Sequence, residues 1–296
     1  MKMRWWGTVM AAGLAASAVA AEKTVMNVGE RPESITRGWN GDFYLTVMGG
    51  EGNGDAVIKR LKDGRAEVFA KGMDEPKGIA FAGGFLVTSD LKRMWKIDEQ
   101  GRATVLVDEK DFPHPVLFLN DVAAAPDGRS VFVTDMGAKD RMFGPDGTMW
   151  PVDSEGAKKL RSPGYVYRVT LDGKVSVVVD TTPVMPCPNG VAVAPDGSLL
   201  IAEFFHGRIL ELRNNRLRML TDGLRGADGI EQAKDGTIYV SSWTQGKVWK
   251  LDRDGKNPRV ILEGLQTAAD FHLDEDGRRL LVPDMKAGTL TILPLN

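Results

Sequence analysis

A short segment recurs six times along the chain, each copy opening an apolar run just after a small dipeptide. The copies are PESI from Pro32, PKGI from Pro76, LNDV from Leu119, PNGV from Pro188, ADGI from Ala227 and AADF from Ala268. The residues at the equivalent point are Glu33, Lys77, Asn120, Asn189, Asp228 and Ala269, which lie 44, 43, 69, 39 and 41 residues apart. A period of about 40 to 45 residues is what a four-stranded propeller blade occupies. Each unit continues with a turn such as PDG at Pro126, PDG at Pro195, KDG at Lys234 or EDG at Glu275, and then a second run, VFVTD, LLIAE, IYVSS or LLVPD. Apolar runs on either side of Asp-Gly are hairpin signals, because glycine supplies the positive φ of the tight turn. Third and fourth strands read as RILEL then LRML, and as KVWKL then RVIL, and no helical periodicity shows beyond the first residues. The expected fold is all-β: a six-bladed β-propeller.

Residues 1–20 stand apart from this grammar. MKMRWW is a positive n-region, GTVMAAGLAASAVA an apolar h-region, and Ala18-Val19-Ala20 offers the small residues read by a signal peptidase. The h-region is too short for a retained membrane span. Removing Lys2 and Arg4 takes the formal charge from -2 to -4, which leaves no general attraction for nucleic acid or anionic membranes. The expectation is therefore a periplasmic or secreted protein, with residues 21–296 forming one propeller domain. The single cysteine, Cys187, excludes an intrachain disulfide, so the core must hold the fold. The last repeat has one clear strand after LLVPD, TLTILPL from Thr289. The segment TVMNVG from Thr24 belongs to no complete unit and is expected to supply the missing outer strand, pairing the two ends of the chain.

The long step from Asn120 to Asn189 implies an insertion near 136–164. It is rich in Gly, Pro and charge, yet carries Met142, Phe143, Met149 and Trp150. Such a loop reads either as a folded flap on the face of the marked residues or as an extended hairpin without a binding role. The ends of the second strands, Val47-Met48, Asp90-Leu91, Asp135-Met136, Glu203-Phe204, Ser242-Trp243 and Asp284-Met285, should ring the same opening. Together the large residues suggest an apolar pocket wall, with Phe204 and Trp243 as substrate contacts. Singly, each would serve as well to pack between blades.

Four of the six marked side chains, Glu33, Asn120, Asn189 and Asp228, are hard oxygen donors aimed at one axis. Two carboxylates and two amides match a divalent cation in charge, and calcium fits this set better than zinc, which would recruit Cys or His, or magnesium, which demands a tighter octahedron. Asn or Asp before Gly also makes ordinary turns, but Glu33 stands where no turn former is needed. Lys77, at the blade 2 position, would hold Glu33 or Asp228, bind an anionic substrate group, or lean to solvent. His114, His206 and His272 are further proton-transfer candidates, each equally readable as a packed or exposed imidazole.

PESI at Glu33, LNDVAAAPDG at Asn120, PNGVAVAPDG at Asn189 and ADGI at Asp228 resemble the gluconolactonase and regucalcin (senescence marker protein) family, with diisopropyl fluorophosphatase and the paraoxonases as more distant relatives. The resemblance spans essentially all of the chain after residue 20. It implies Glu33, Asn189 and Asp228 as core ligands of a calcium or other divalent ion, Asn120 as ligand or substrate contact, and Asp228 as general base or nucleophile in the hydrolysis of a lactone or related ester. Two departures stand out. Phe118 occupies the place where sugar-lactone members carry an arginine, and Lys77 points a charged amine toward the ion. A non-catalytic binding module with a structural calcium, and an activity of the strictosidine synthase type, are the alternatives.

Overall fold

A computed structural model describes residues 22–50, 52–137, 141–160, 163–274 and 276–295. The expected signal segment, 1–20, lies outside the described residues. No helix among those described is long and apolar enough to cross a membrane.

Among the described residues, twenty-four strands form six four-stranded antiparallel sheets. Blade 1 comprises β2 (Pro32–Arg37), β3 (Phe43–Val47), β4 (Ala56–Lys62) and β5 (Arg65–Met73); blade 2 comprises β6 (Pro76–Ala82), β7 (Phe85–Asp90), β8 (Arg93–Ile97) and β9 (Ala103–Val107). Blade 3 is β10 (Leu119–Ala124), β11 (Ser130–Asp135), β12 (Tyr165–Thr170) and β13 (Val175–Val179), and blade 4 is β14 (Pro188–Val193), β15 (Leu199–Glu203), β16 (Arg208–Arg213) and β17 (Arg216–Thr221). Blade 5 follows as β18 (Ala227–Gln232), β19 (Ile238–Ser242), β20 (Lys247–Leu251) and β21 (Arg259–Leu262). Blade 6 consists of β22 (His272–Leu273), β23 (Arg279–Asp284), β24 (Thr289–Pro294) and, as its outermost strand, β1 (Thr24–Asn27), which pairs antiparallel with β24 from Thr24↔Ile292 to Asn27↔Thr289. The ring therefore closes by pairing the two ends of the described chain, as the six-bladed reading requires.

The core is a set of wedges between neighbouring sheets. Ile35 and Leu45 of blade 1 pack with Leu281 and Leu290 of blade 6, and Val122, Val131 and Val133 of blade 3 pack with Ala80, Val87 and Met94 of blade 2. This arrangement follows from the sequence: first and second strands are buried on both faces, so they read as nearly continuous apolar runs. Outer strands such as β5 and β17 alternate exposed and half-buried positions. The Asp-Gly turns place Gly128 at φ 63° and Gly197 at φ 83°, which glycine adopts without a Cβ penalty.

In five blades the pairing of first and second strands shifts register over the marked positions: between Pro32 and Ile35, Pro76 and Ile79, Leu119 and Val122, Pro188 and Val191, and Ala227 and Ile230. Such bulges re-aim side chains and free backbone groups. Second-strand hydroxyls take up those groups. Thr46 accepts from the Ser34 amide (2.8 Å) and donates to the Lys77 carbonyl (2.9 Å), while Thr134 accepts from the Asp121 amide (3.0 Å) and donates to the Asn189 carbonyl (2.6 Å). Each hydroxyl thus ties its own blade to the next. Where inner strands converge most closely, a side chain is excluded: a Cβ on Gly190 would stand 2.0 Å from the Asp228 carbonyl oxygen.

The lack of helical periodicity in the sequence matches the structure, whose described helical pieces are two three-residue 3-10 turns and one short α turn. Within 136–164 a single turn, α1 (Glu155–Lys158), is capped by Ser154, whose hydroxyl accepts from the Ala157 amide at 3.2 Å. A serine cap with glutamate in the first turn stabilises so short a helix locally, and four residues are too few to produce an apolar period.

Candidate functional site

The bulges project Glu33, Lys77, Asn120, Asn189 and Asp228 onto the floor of one cavity of about 440 Å³. All five are buried, Asp228 to 2% exposure, and Ala269, the sixth marked residue, is fully buried without a polar group to offer. Five of the six residues that follow the second strands line the same cavity: Met48, Met136, Phe204, Trp243 and Met285. Leu91 instead packs into the apolar cluster behind it, adopting φ 57°. That cluster joins Phe118, Cys187 and Phe205 of the propeller to Met142, Phe143, Met149 and Trp150 of segment 136–164.

The described residues 141–160 of the segment fold against the ring. Phe143 and Met149 form a bridge, the Trp150 amide donates to the Met142 carbonyl (2.9 Å), and Arg225 donates to the Trp150 carbonyl (2.6 Å) and to the Phe205 carbonyl (3.1 Å). Met142 and Phe143 thereby become part of the cavity wall.

The acidic residues that precede most of the wall residues have a different task. Asp90 accepts from the Glu75 and Asp74 amides (2.7 and 3.2 Å), Asp135 from Phe118 and Leu117 (2.8 and 3.0 Å), and Asp284 from Thr267 and Gln266 (3.0 and 2.7 Å). They fix the chain as it enters each innermost strand, so the marked side chains arrive at a defined height.

Two oxygens on the floor are left over. Glu33 Oε2 and Asn189 Oδ1 are buried and make no hydrogen bond, a condition that costs about 1 to 3 kcal/mol per group unless a ligand relieves it. The Asn189 side chain favours the ionised Asp228 carboxylate, the smallest of the effects on that group, while its own carbonyl oxygen is buried without a partner. Burial raises the Glu33 carboxyl to about 7, with Lys77 opposing and Asp121 adding to the shift. Burial, then repulsion from Glu33 and Asp121, raises Asp228 well above its ordinary value. A floor so short of positive charge, with unpartnered hard oxygens, suits a divalent cation. Among the described residues no three His, Cys, Asp or Glu side chains gather into a metal cluster, so amide oxygens must complete any such set.

Lys77 does not lean to solvent. It is 7% exposed, its ammonium lies 3.5 Å from Glu75 Oε2 and 5.3 Å from the Phe118 ring centroid, and burial lowers its proton affinity against the pull of Glu33 and Glu75. Arg31, also on the cavity wall, pairs with Glu75 at 3.1 Å. Sequence reading missed it because it precedes the first strand, outside the repeated phase.

It also missed a second layer. Beneath the floor lies a channel of about 330 Å³ lined by Asp121, Glu231, Asp270 and His272 among apolar residues. Asp121 accepts from the Val122 and Val191 amides (both 2.6 Å), and burial, then the Asp121 charge, raises the carboxyl of Asp270, which is bound by the Ser34 hydroxyl. The signal was present one residue after each mark: Asp121 and Asp270 stand in the phase held elsewhere by Ser34, Gly78, Gly190 and Gly229. The histidines do not reach the cavity. His272 stacks edge-on to Phe43, His114 lies over Tyr165, and His206 faces Glu203 at 3.3 Å.

A family model described as the SMP-30/Gluconolactonase/LRE-like region matches residues 53–282. No curated protein sequence matches the chain. Among solved structures, a gluconolactonase from Xanthomonas campestris is similar at 21% identity and a TM-score of 0.68, over 92% of this chain and 89% of that one. The calcium-binding protein regucalcin from Agrobacterium tumefaciens is similar at 18% identity and 0.65, over 91% and 90%. Virginiamycin B lyase from Staphylococcus aureus is similar at 14% identity and 0.61, over 93% and 99%. At these identities the likenesses establish the propeller fold.

Proposed function

Since the chain belongs to the SMP-30/gluconolactonase/LRE-like family, we propose that it is an exported, divalent-metal-dependent hydrolase of lactones or related esters with apolar acyl or aryl groups. One observation carries the reading: four oxygen-bearing side chains from four blades share a buried floor on which Glu33 Oε2 and Asn189 Oδ1 lack partners. Glu33, Asn120, Asn189 and Asp228 would hold the ion, calcium by the hardness of the donors, which when bound supplies Lewis-acid polarisation of the substrate carbonyl. Asp228, buried on the floor, accepts the proton of the attacking water or attacks the carbonyl carbon itself. The bond to the leaving oxygen then breaks and that oxygen takes up a proton, from Asp228 where Asp228 acted as base or from solvent where it attacked, in which case water then cleaves the acyl-Asp228 bond; an ester gives acid and alcohol, a lactone one hydroxy acid.

The wall argues for the acyl class. Phe118 lines the cavity where sugar-lactone members carry an arginine, and Met136, Met142, Phe143, Phe204 and Trp243 surround it. Such a surface removes apolar area from water and offers sugar hydroxyls few partners. The test is a panel of sugar lactones, alkyl lactones, aryl esters and organophosphates, assayed with calcium and with chelator. Calcium-dependent turnover that favours alkyl or aryl substrates supports the proposal. Preference for gluconolactone over every apolar lactone would return the chain to the sugar-lactonase branch, and no turnover of any substrate would favour a binding module.

A further inference from the structure

Resting on that hydrolase reading, the end of the cavity next to blades 1 and 2 narrows the substrate further. Arg31 and Lys77 both line it, and both turn to a single carboxylate, Glu75, at 3.1 and 3.5 Å. Arg31 spends another donor on the Gly49 carbonyl. Lys77 has three N–H donors; Glu33 attracts it across the floor, but among the described residues its contacts besides Glu75 are the Met48 thioether sulfur and the face of Phe118, both weak acceptors for an ammonium. Glu75 is held ionised: burial pushes its carboxyl up, but Lys77 and Arg31 bring it below the ordinary range.

Charge is therefore unbalanced at this end. The two cations and Glu75 leave one positive charge, and the negative charges across the floor, Glu33 and Asp228, are those a divalent cation would neutralise. With Glu33 taken up by a divalent cation, Lys77 is left to share Glu75 with Arg31; an ammonium so buried with half an anion is costly, and the apolar neighbours Met48 and Phe118 raise the strength of any charge pair formed there.

We propose that Lys77, supported by Arg31, forms an anion subsite that seats a carboxylate carried by an otherwise apolar ester or lactone. The substrate is then amphiphilic: an apolar body against Met136, Phe204 and Trp243, an acid group at Lys77, and the scissile carbonyl over the floor. Recognition of one charge by a hydrogen-bonded partner predicts a preference on the order of ten- to a hundredfold over a neutral analogue.

Two measurements on the calcium-loaded protein test this. In the first, kcat/KM for monophenyl glutarate is compared with that for phenyl pentanoate, which lacks the acid. In the second, calorimetry compares 6-phenylhexanoate with 6-phenylhexanol, a pair that needs no turnover. The wild type should favour the acid in both, Lys77→Met should bring both ratios to about one, Lys77→Arg should keep them, and Arg31→Gln should lower them even if Lys77→Met does not fold. Absence of ester turnover alongside a carboxylate preference that Lys77→Met abolishes would sink the hydrolase reading and leave the subsite standing. A wild type that treats acid and neutral probes alike, or a preference unchanged in the Lys77 and Arg31 variants, would overturn the subsite and assign the carboxylate to the bound ion.

Discussion

Asp228 sits where three demands meet: it is a candidate ligand, it is 2% exposed, and Glu33 and Asp121 repel its charge. Asp228→Asn keeps an oxygen of the same size while removing charge and base, so turnover should fall by about 10² to 10⁴ with little change in the circular dichroism of the fold. Glu33→Gln should act through metal affinity, and excess calcium should restore part of its activity in the same assay. In the channel below, burial and then repulsion from Asp121 push the Glu231 carboxyl up to about 8. A carboxyl whose folded value is raised contributes its full stability below the unfolded value, near 4.5, and loses it as pH rises through 8. Glu231→Gln should therefore melt close to wild type at pH 4 to 5 and increasingly above it toward pH 9. The marked residues could be read from sequence because a polar side chain recurring at one phase of an apolar repeat is conspicuous. Arg31 could not, since it lies outside that phase, and Asp121 and Asp270 were masked by being one residue off it.

At the scale of single strands, the device that builds the site is the bulge backed by a hydroxyl. Thr134→Val removes the acceptor of the Asp121 amide and the donor to the Asn189 carbonyl, leaving two buried backbone groups unpaired at about 1 to 3 kcal/mol each. Its melting temperature should drop, and calcium affinity with it, since Asn189 loses its support. Segment 136–164 is held by Arg225 at the Trp150 carbonyl, and it completes the wall that Trp243 faces. One methylene in such a pocket is worth about 1 to 3 kcal/mol, so kcat/KM should climb along a chain-length series of alkyl lactones, and Trp243→Ala should flatten the climb. The long step between Asn120 and Asn189 announced the insertion. Its folded course did not show in the sequence, because Met142, Phe143 and Trp150 are ordered by packing with Phe118 at the entry to blade 3 and with Phe204 and Phe205 of blade 4, residues far from them along the chain, rather than by local pattern. The bulges were equally hidden: register is a property of two strands, and the alternation of one strand alone does not reveal it.

For the molecule as a whole, the ring makes the floor a junction. Glu33, Asn120, Asn189 and Asp228 come from blades 1, 3, 4 and 5, so an ion held among them ties blade 1 to blades 3, 4 and 5 and adds a shared tie to the direct packing of 3 on 4 and 4 on 5. Calcium at a hundredfold excess over Kd should stabilise the fold by about 2.7 kcal/mol, which for a chain of this size corresponds to roughly 5 to 10 °C in melting temperature between calcium and chelator. The six-bladed architecture was legible from period and turn chemistry, and the closure by β1 from the blade it left incomplete. The chemistry rests on the floor being a metal site that works on esters. The most direct test is the rate of hydrolysis of an alkyl lactone by metal-stripped protein as calcium is added back. The expected result is no turnover in chelator and a saturable recovery with calcium; turnover that is the same with chelator as with calcium would contradict it.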